Sequence, residues 1–200
     1  FLLWYPWPYS VLAGGMSLFM LICGVDVVIG PLITLIIFDT RKPWLELRRD
    51  LLVVVMLQLG AMGYGLHVIY NARPVALALE GDRFRLVRAG DVVTDELSQA
   101  PETLRRLSLT GPVLVRVLLP DDPIERMRAV EQALAGADLG MRPKYWRPWD
   151  AIGRQSAAAA AQALGPLRER YPARRAELDA AVARTGFDTD QLRYVPLLSQ

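Results

Sequence analysis

The sequence predicts two transmembrane helices, natively three, followed by a small soluble domain of the α+β class. Three observations lead to this. Charge is sparse in residues 1–70, which hold four acidic side chains (Asp26, Asp39, Glu46, Asp50) and four basic ones (Arg41, Lys42, Arg48, Arg49). Residues 71–200 hold the remaining 17 acidic and 19 basic residues. Two long apolar runs fall in the charge-poor part, and strand-like and helix-like stretches alternate in the charged part. A composition shift of this size near residue 71 marks a boundary between two solvents. The part beyond it is long enough to form one core.

A lipid-crossing helix needs about 20 predominantly apolar residues. Residues 11–38, with Asp26 as their one charge, and residues 51–70, with none, both qualify. Residues 39–50 between them carry four Lys or Arg, and the stretch before the first span carries none. The positive-inside rule therefore makes 39–50 a cytoplasmic basic loop. Arg73, Arg83, Arg85 and Arg88 oppose this placement, but long domains translocate largely regardless of charge. On this topology the opening Phe-Leu-Leu-Trp-Tyr starts on the far side of the membrane. Residues 1–10 then read as the end of a truncated first span and an aromatic turn of Trp4, Tyr5, Trp7 and Tyr9. A signal-peptide remnant is the rival reading, although cleavage sites favour small residues.

Asp26 lies about 13 residues from the cytoplasmic end of its span, roughly 20 Å at the helical rise. A charge at that depth costs about 3 kcal/mol or more on insertion scales, so it needs a partner, a proton or a function. Pro31 cannot donate to the Val27 carbonyl and predicts a kink beside Asp26. Gly24 and Gly30 leave room for close approach of another helix. In an antiparallel pair Asp26 falls near the level of Gly63 or Tyr64. Tyr64 and His67 are then its candidate in-chain partners, with Gln58 farther toward the cytoplasm. The residues leave two readings open. Asp26 is either protonated or hydrogen-bonded within the bundle, or offered to a partner helix. Ala61 and Gly65, with Gly60 and Gly63, are small positions suited to tight packing, a common and weakly specific pattern.

In the soluble domain, 75–80 and 83–88 around Gly81-Asp82 read as a hairpin. Residues 113–119, framed by Gly111-Pro112 and Pro120, read as a strand. Asp122 as N-cap and Pro123 at the first helical position open a helix, where Ile124, Met127, Val130, Ala133 and Leu134 recur at helical spacing. A second helix is expected from Trp149 or Asp150 to Leu164, broken by Gly165-Pro166, and a third from Pro172 to Thr185, stopped by Gly186. Residues 191–198 read as a strand whose partner the sequence does not supply.

No catalytic constellation is visible. His67, the one histidine, lies in the second span, which leaves the soluble domain without a Ser-His-Asp or Cys-His set. No Gly-rich phosphate loop precedes a helix, and no metal-ligand spacing occurs. Cys23 lies in an apolar run and reads as a packing residue. Basic and acidic residues are interleaved, without the stripe that nucleic acid requires. The unusual segment is 141–149, Met-Arg-Pro-Lys-Tyr-Trp-Arg-Pro-Trp. Exposed, Lys144, Tyr145, Trp146 and Trp149 would form a recognition loop, since Trp, Tyr and Arg dominate interface hot spots. The blander reading, a long loop pinned by its own aromatics against the helices, is the favoured one.

Trp4-Tyr5-Pro6-Trp7-Pro8-Tyr9, Ala13-Gly14-Gly15, the stretch Gly24-Val25-Asp26-Val27-Val28-Ile29-Gly30-Pro31-Leu32-Ile33-Thr34-Leu35 and Arg41-Lys42-Pro43 closely resemble the TfpX/TfpZ type IV pilin accessory proteins. Ala72-Arg73-Pro74, Asp82-Arg83-Phe84-Arg85 and Arg142-Pro143-Lys144-Tyr145-Trp146 extend the resemblance over nearly the whole chain. It implies a multi-pass protein of the bacterial inner membrane with a periplasmic C-terminal domain (residues 71–200) and no catalysis or cofactor. The implied activity is chaperone-like: binding and stabilising a cognate type IV pilin and promoting pilus assembly. The pilin's apolar helix would lie along Gly24, Asp26, Gly30 and Pro31, with Tyr64 opposite, and its globular head would meet 144–149. The alternative is a structural subunit or sensor that binds the pilus assembly platform.

Overall fold

A computed structural model of the chain describes residues 3–37 and 43–199, apart from the side chains of Asp26 and Ile37. The protein is α+β, and its apolar helices precede the mixed domain. It divides into two compact units. One comprises Phe1–Val75, Arg88–Asp91 and Leu107–Pro112, and the other Ala76–Val87, Val92–Arg106 and Val113–Gln200.

The first unit is built on α1 (Tyr9–Leu12), α2 (Gly15–Ile37) and α3 (Trp44–Ala72). The continuous span expected over 11–38 is interrupted after Leu12. Gly14 adopts a positive φ of 67°, a conformation that resists a Cβ and ends the short α1. α3 begins at Trp44, so residues 44–50 of the expected loop are helical. α2 stays one helix across Pro31, and the Thr34 hydroxyl donates to the Gly30 carbonyl at 2.9 Å. Leu3 and Trp4 form a turn rather than a helical tail; Phe1 and Leu2 lie outside the described residues, as do 38–42 of the basic loop.

α2 and α3 are both long and apolar enough to cross a membrane, and only 6% and 17% of their most apolar stretches are buried by protein. A core helix of a soluble protein would have most of that surface covered. The carboxyl end of α3 is well satisfied. The buried Tyr5 hydroxyl donates to the Ile69 carbonyl at 2.9 Å. Buried Arg73 donates to the Tyr70 carbonyl at 2.6 Å and to that of Ser108 at 3.3 Å, with its guanidinium 3.7 Å from the Tyr70 ring centre.

The second unit holds a five-stranded sheet in the order β4-β3-β1-β2-β7. β1 (Pro74–Glu80) and β2 (Arg83–Arg88) form the expected hairpin around Gly81, whose φ is 60°. β3 (Val113–Val117) runs parallel to β1 with Val113 opposite Ala76. β4 (Trp146–Pro148), which the sequence reading left in a loop, pairs antiparallel with β3. β1 lies inside the sheet, and Val75, Ala76, Ala78 and Leu79 are buried, as a strand covered on both faces requires.

Four helices follow: α4 (Pro123–Leu134), α5 (Ala151–Ala160), α6 (Leu164–Arg170) and α7 (Arg175–Thr185). Asp122 caps α4 by accepting from the Glu125 amide at 2.9 Å. The apolar residues Ile124, Met127, Val130 and Leu134 recur as expected, but all four are exposed, and Ala129 is the buried residue of the helix. The helix expected over 149–164 ends at Ala160, β5 (Gln162–Ala163) takes the place of its last turn, and α6 begins at Leu164. Gly165-Pro166 does not break α6, because Pro166 sits in the first turn, where amides have no helical acceptor. The strand expected over 191–198 splits at Pro196, which has no amide to donate. β6 (Arg193–Tyr194) pairs with β5, and β7 (Leu197–Leu198) supplies an edge strand parallel to β2.

Charge pairs hold this unit together. The Glu80 carboxylate accepts from the Gly140 amide and from Arg85 Nε at 3.1 Å, and Arg85 Nη2 reaches Asp138 at 2.6 Å. Buried Arg142 pairs with buried Glu96 and also donates to Gln132. Removing one member of a buried pair strands the other. Arg142→Ala is therefore expected to destabilise the domain by about 3 kcal/mol. Arg142→Met with Glu96→Leu is expected to recover most of that loss. Urea unfolding of the detergent-solubilised protein, followed by tryptophan fluorescence, checks both.

Candidate functional site

The site is set by how α2 lies against α3. A Cβ placed on Gly65 would come 2.8 Å from the Ile22 side chain, and one placed on Gly30 would come 2.6 Å from the Gln58 amide nitrogen. Both glycines therefore mark close approach of α2 and α3, and the two contacts run in antiparallel register. Residue 26, midway between Ile22 and Gly30, falls opposite Ala61 and Met62. This is within one to two residues of the expected level, Gly63 or Tyr64.

Beside Gly30 the helices part and leave a groove of about 720 Å³ lined by Pro31, Thr34, Val55, Gln58 and Met62, among others. Its walls are almost wholly apolar. The Thr34 hydroxyl is engaged by the Gly30 carbonyl. The half-buried Gln58 amide has no hydrogen-bond partner among the described residues. Gly30 and Pro31, expected to take part, are brought together here. Gly24 is exposed with open space around it. Tyr64 is exposed on another face of α3, where it borders a second apolar depression with Gly60 and Ala61. His67 Nε2 lies 2.8 Å from Asn71 Nδ2, so its hydrogen bonding is local to α3. The Asp26 side chain, and any pairing expected for it, lies outside the described residues. Gln58, read from the sequence only as lying cytoplasmic of the level of Asp26, lines this groove with its amide against Gly30. Its signal in the sequence is a lone amide in the run 51–66.

The segment 141–149 is largely scaffold. Met141, Arg142, Pro143, Tyr145 and Trp146 are buried, while Lys144, Arg147 and Trp149 keep partial exposure. Trp146 Nε1 donates to the Gly140 carbonyl at 2.7 Å, and the Trp149 ring packs 5.9 Å from that of Phe84. Glu125 accepts from Lys144 Nζ at 3.0 Å and from the Tyr145 hydroxyl at 3.2 Å. The hydrogen bond from Lys144 holds the Glu125 carboxyl below the usual carboxylate range. Burial pulls Lys144 down, but the bonds to Glu125 and Tyr145 outweigh it and leave the ammonium above its ordinary value. The structure thus has the pinned loop, whose aromatics serve the core. Among the described residues, no three metal-ligating side chains cluster.

Two proteins of Dichelobacter nodosus match the chain along its whole length. The fimbrial assembly protein of serogroup E1 is 33% identical over 202 residues, 77% of its own length. The fimbrial assembly protein of serogroup I is 32% identical over 199 residues, also 77% of its length. The fimbrial assembly protein of serogroups C1 and C2 is 44% identical over 100 residues, which is 50% of this chain and 76% of that protein. No family model matches the chain, and no solved structure does.

The Lys144–Glu125 contact has a defined pH window. The contribution of Glu125, whose value is lowered on folding, is present above the ordinary carboxylate range and is lost as pH falls through the lowered value. That of Lys144, raised on folding, is present below the ordinary lysine range and is lost as pH rises through the raised value. At neutral pH the urea midpoint of the wild type is expected to exceed that of Glu125→Gln. The two midpoints should converge as pH falls through the carboxylate range.

Proposed function

The chain belongs to the family of fimbrial assembly proteins, and from that premise we propose an inner-membrane accessory protein that binds and stabilises a cognate type IV pilin and promotes pilus assembly without catalysis. The observation that carries this reading is the groove at Gly30 and Pro31 between two long, outward-facing apolar helices. In a bilayer, helix association draws on close packing at small residues and on interhelical hydrogen bonds. A groove floored by glycine is shaped for one more helix, and the apolar helix of a pilin waiting in the membrane is the proposed occupant. Asp26, on α2 one turn from Gly30, is proposed to face that helix. The resemblance to the TfpX/TfpZ proteins supports the same assignment.

The proposed topology sets 39–50 in the cytoplasm and 71–200 in the periplasm. Two of the cations that oppose it are internally engaged: Arg73 caps α3, and Arg85 pairs with Glu80 and Asp138. On the periplasmic side the pilin head is proposed to meet the open edge of 144–149, where Lys144 and Trp149 retain exposure. A subunit or sensor that binds the assembly platform is the second reading. The exposed apolar face of α4 favours it.

Capture of the full-length protein from membranes of pilus-producing cells in mild detergent separates the readings. Pilin is expected with the wild type, and at least tenfold less with Gly30→Leu or Asp26→Leu at equal membrane levels. Recovery of assembly-platform proteins without pilin would establish the second reading instead. Retention of pilin by Asp26→Asn would remove charge pairing at that position.

A further inference from the structure

Gln58 is an amide in the wrong solvent. It lies eight residues beyond Asp50, the last formal charge before the apolar part of α3, or roughly 12 Å into a hydrocarbon core about 30 Å thick. Its nitrogen rests over Gly30, which offers no side chain. The neighbouring Thr34 hydroxyl donates to the Gly30 carbonyl, and no hydrogen bond joins it to Gln58 among the described residues. Pro31, Val55 and Met62, which line the groove around it, are apolar. A primary amide without a partner in hydrocarbon is strongly unfavourable, and no water is present at that depth to relieve it.

We propose that Gln58 is the specificity-determining residue of the groove, hydrogen-bonding a polar side chain that one partner transmembrane helix carries near the bilayer midplane. This rests on the reading of the groove as a pilin-helix site and says which feature of that helix is read. An acyl chain would fit the apolar walls, but it carries no hydrogen-bonding atom near the midplane. A wholly apolar helix would fill the volume and leave the amide unsatisfied. A second copy of this chain would have to insert one of its own helices to reach Gln58, because the amide lies on the groove floor over Gly30 and not on the outer ridge of α3. The helix that satisfies every surface of the groove is apolar along its length and polar at one position. Discrimination follows from the usual asymmetry of polar sites: a helix lacking the polar group leaves a buried amide unpaired.

The test is co-capture of pilin with full-length protein from pilus-producing membranes, using Gln58→Leu, Gln58→Glu and Gly30→Leu at matched membrane levels. Each polar residue in the pilin's apolar helix is also replaced singly by Leu. Gln58→Leu keeps the side-chain volume and is expected to lower captured pilin about threefold to twentyfold, the range of interhelical hydrogen bonds in membranes. Gln58→Glu, which hydrogen-bonds when protonated, is expected to retain most of it. One pilin replacement should produce the same loss with the wild type and no further loss with Gln58→Leu. Loss with Gly30→Leu but full retention with Gln58→Leu would overturn the proposal and leave the groove reading standing. Retention with every variant would sink both. If Gln58→Leu instead abolishes co-purification of differently tagged copies and leaves pilin untouched, the partner is a second copy and the proposal is wrong.

Discussion

The helical hairpin depends on two places where a glycine lets α2 and α3 touch. At Gly65 the Ile22 side chain occupies the room a Cβ would take, and at Gly30 the Gln58 amide does the same. Both contacts mark the antiparallel register of the two helices, and the branched Ile22 side chain against Gly65 is the less yielding of the two, since the end of Gln58 can swing aside. Everything attributed to the groove follows from that register. Pro31 flanks it because it follows Gly30, and Thr34 turns its hydroxyl back one helical turn onto the same glycine. Val55 and Met62 enter from α3 because they flank Gln58 at helical spacing.

A second constraint acts where α3 ends. The last carbonyls of a helix lack intrahelical donors and must be satisfied otherwise. Here two residues far apart in sequence supply them. Tyr5 donates to Ile69, and Arg73 donates to Tyr70 while lying over that residue's ring. A cation at a helix carboxyl end is also favoured by the helix dipole. Arg73 is therefore better understood as a cap than as a free loop charge. Tyr5, which composition would put in an interfacial aromatic belt, is an internal hydrogen-bond donor.

These cases show what could be read from the sequence and what could not. The apolar runs, the hairpin at Gly81 and the N-cap at Asp122 are local in origin, so pattern reading found them. β4 was missed because Trp146–Pro148 is a three-residue strand defined by its pairing with β3 and not by any periodicity of its own. The strand expected over 191–198 failed at Pro196 for want of an amide, and α6 tolerated Pro166 because its first turn needs none. The face of α4 could not be assigned from spacing, since period 3.6 says which residues share a side and not which side is covered. Gly30 and Pro31, candidate partner residues from the sequence, border the groove. That Gln58 lies beside them depends on the helix register, which glycine contacts mark and loop length does not.

The contrast between the two candidate sites turns on satisfaction of polar atoms. In 141–149 the composition resembles an interface, yet its polar groups are answered from within: Trp146 by Gly140, Tyr145 and Lys144 by Glu125, and Arg142 by Glu96. Most of the polar groups of this segment are thus answered from within, and Tyr145 and Trp146 are buried in the core, while Trp149 stays partly exposed. The groove presents the opposite condition. Its walls are mostly apolar, and the half-buried Gln58 amide has no hydrogen-bond partner among the described residues. In the bilayer proposed around α3, an unpaired polar group is costly, because no water reaches it there. Such a group is therefore a stronger pointer to a missing partner than any surface rich in tryptophan and arginine.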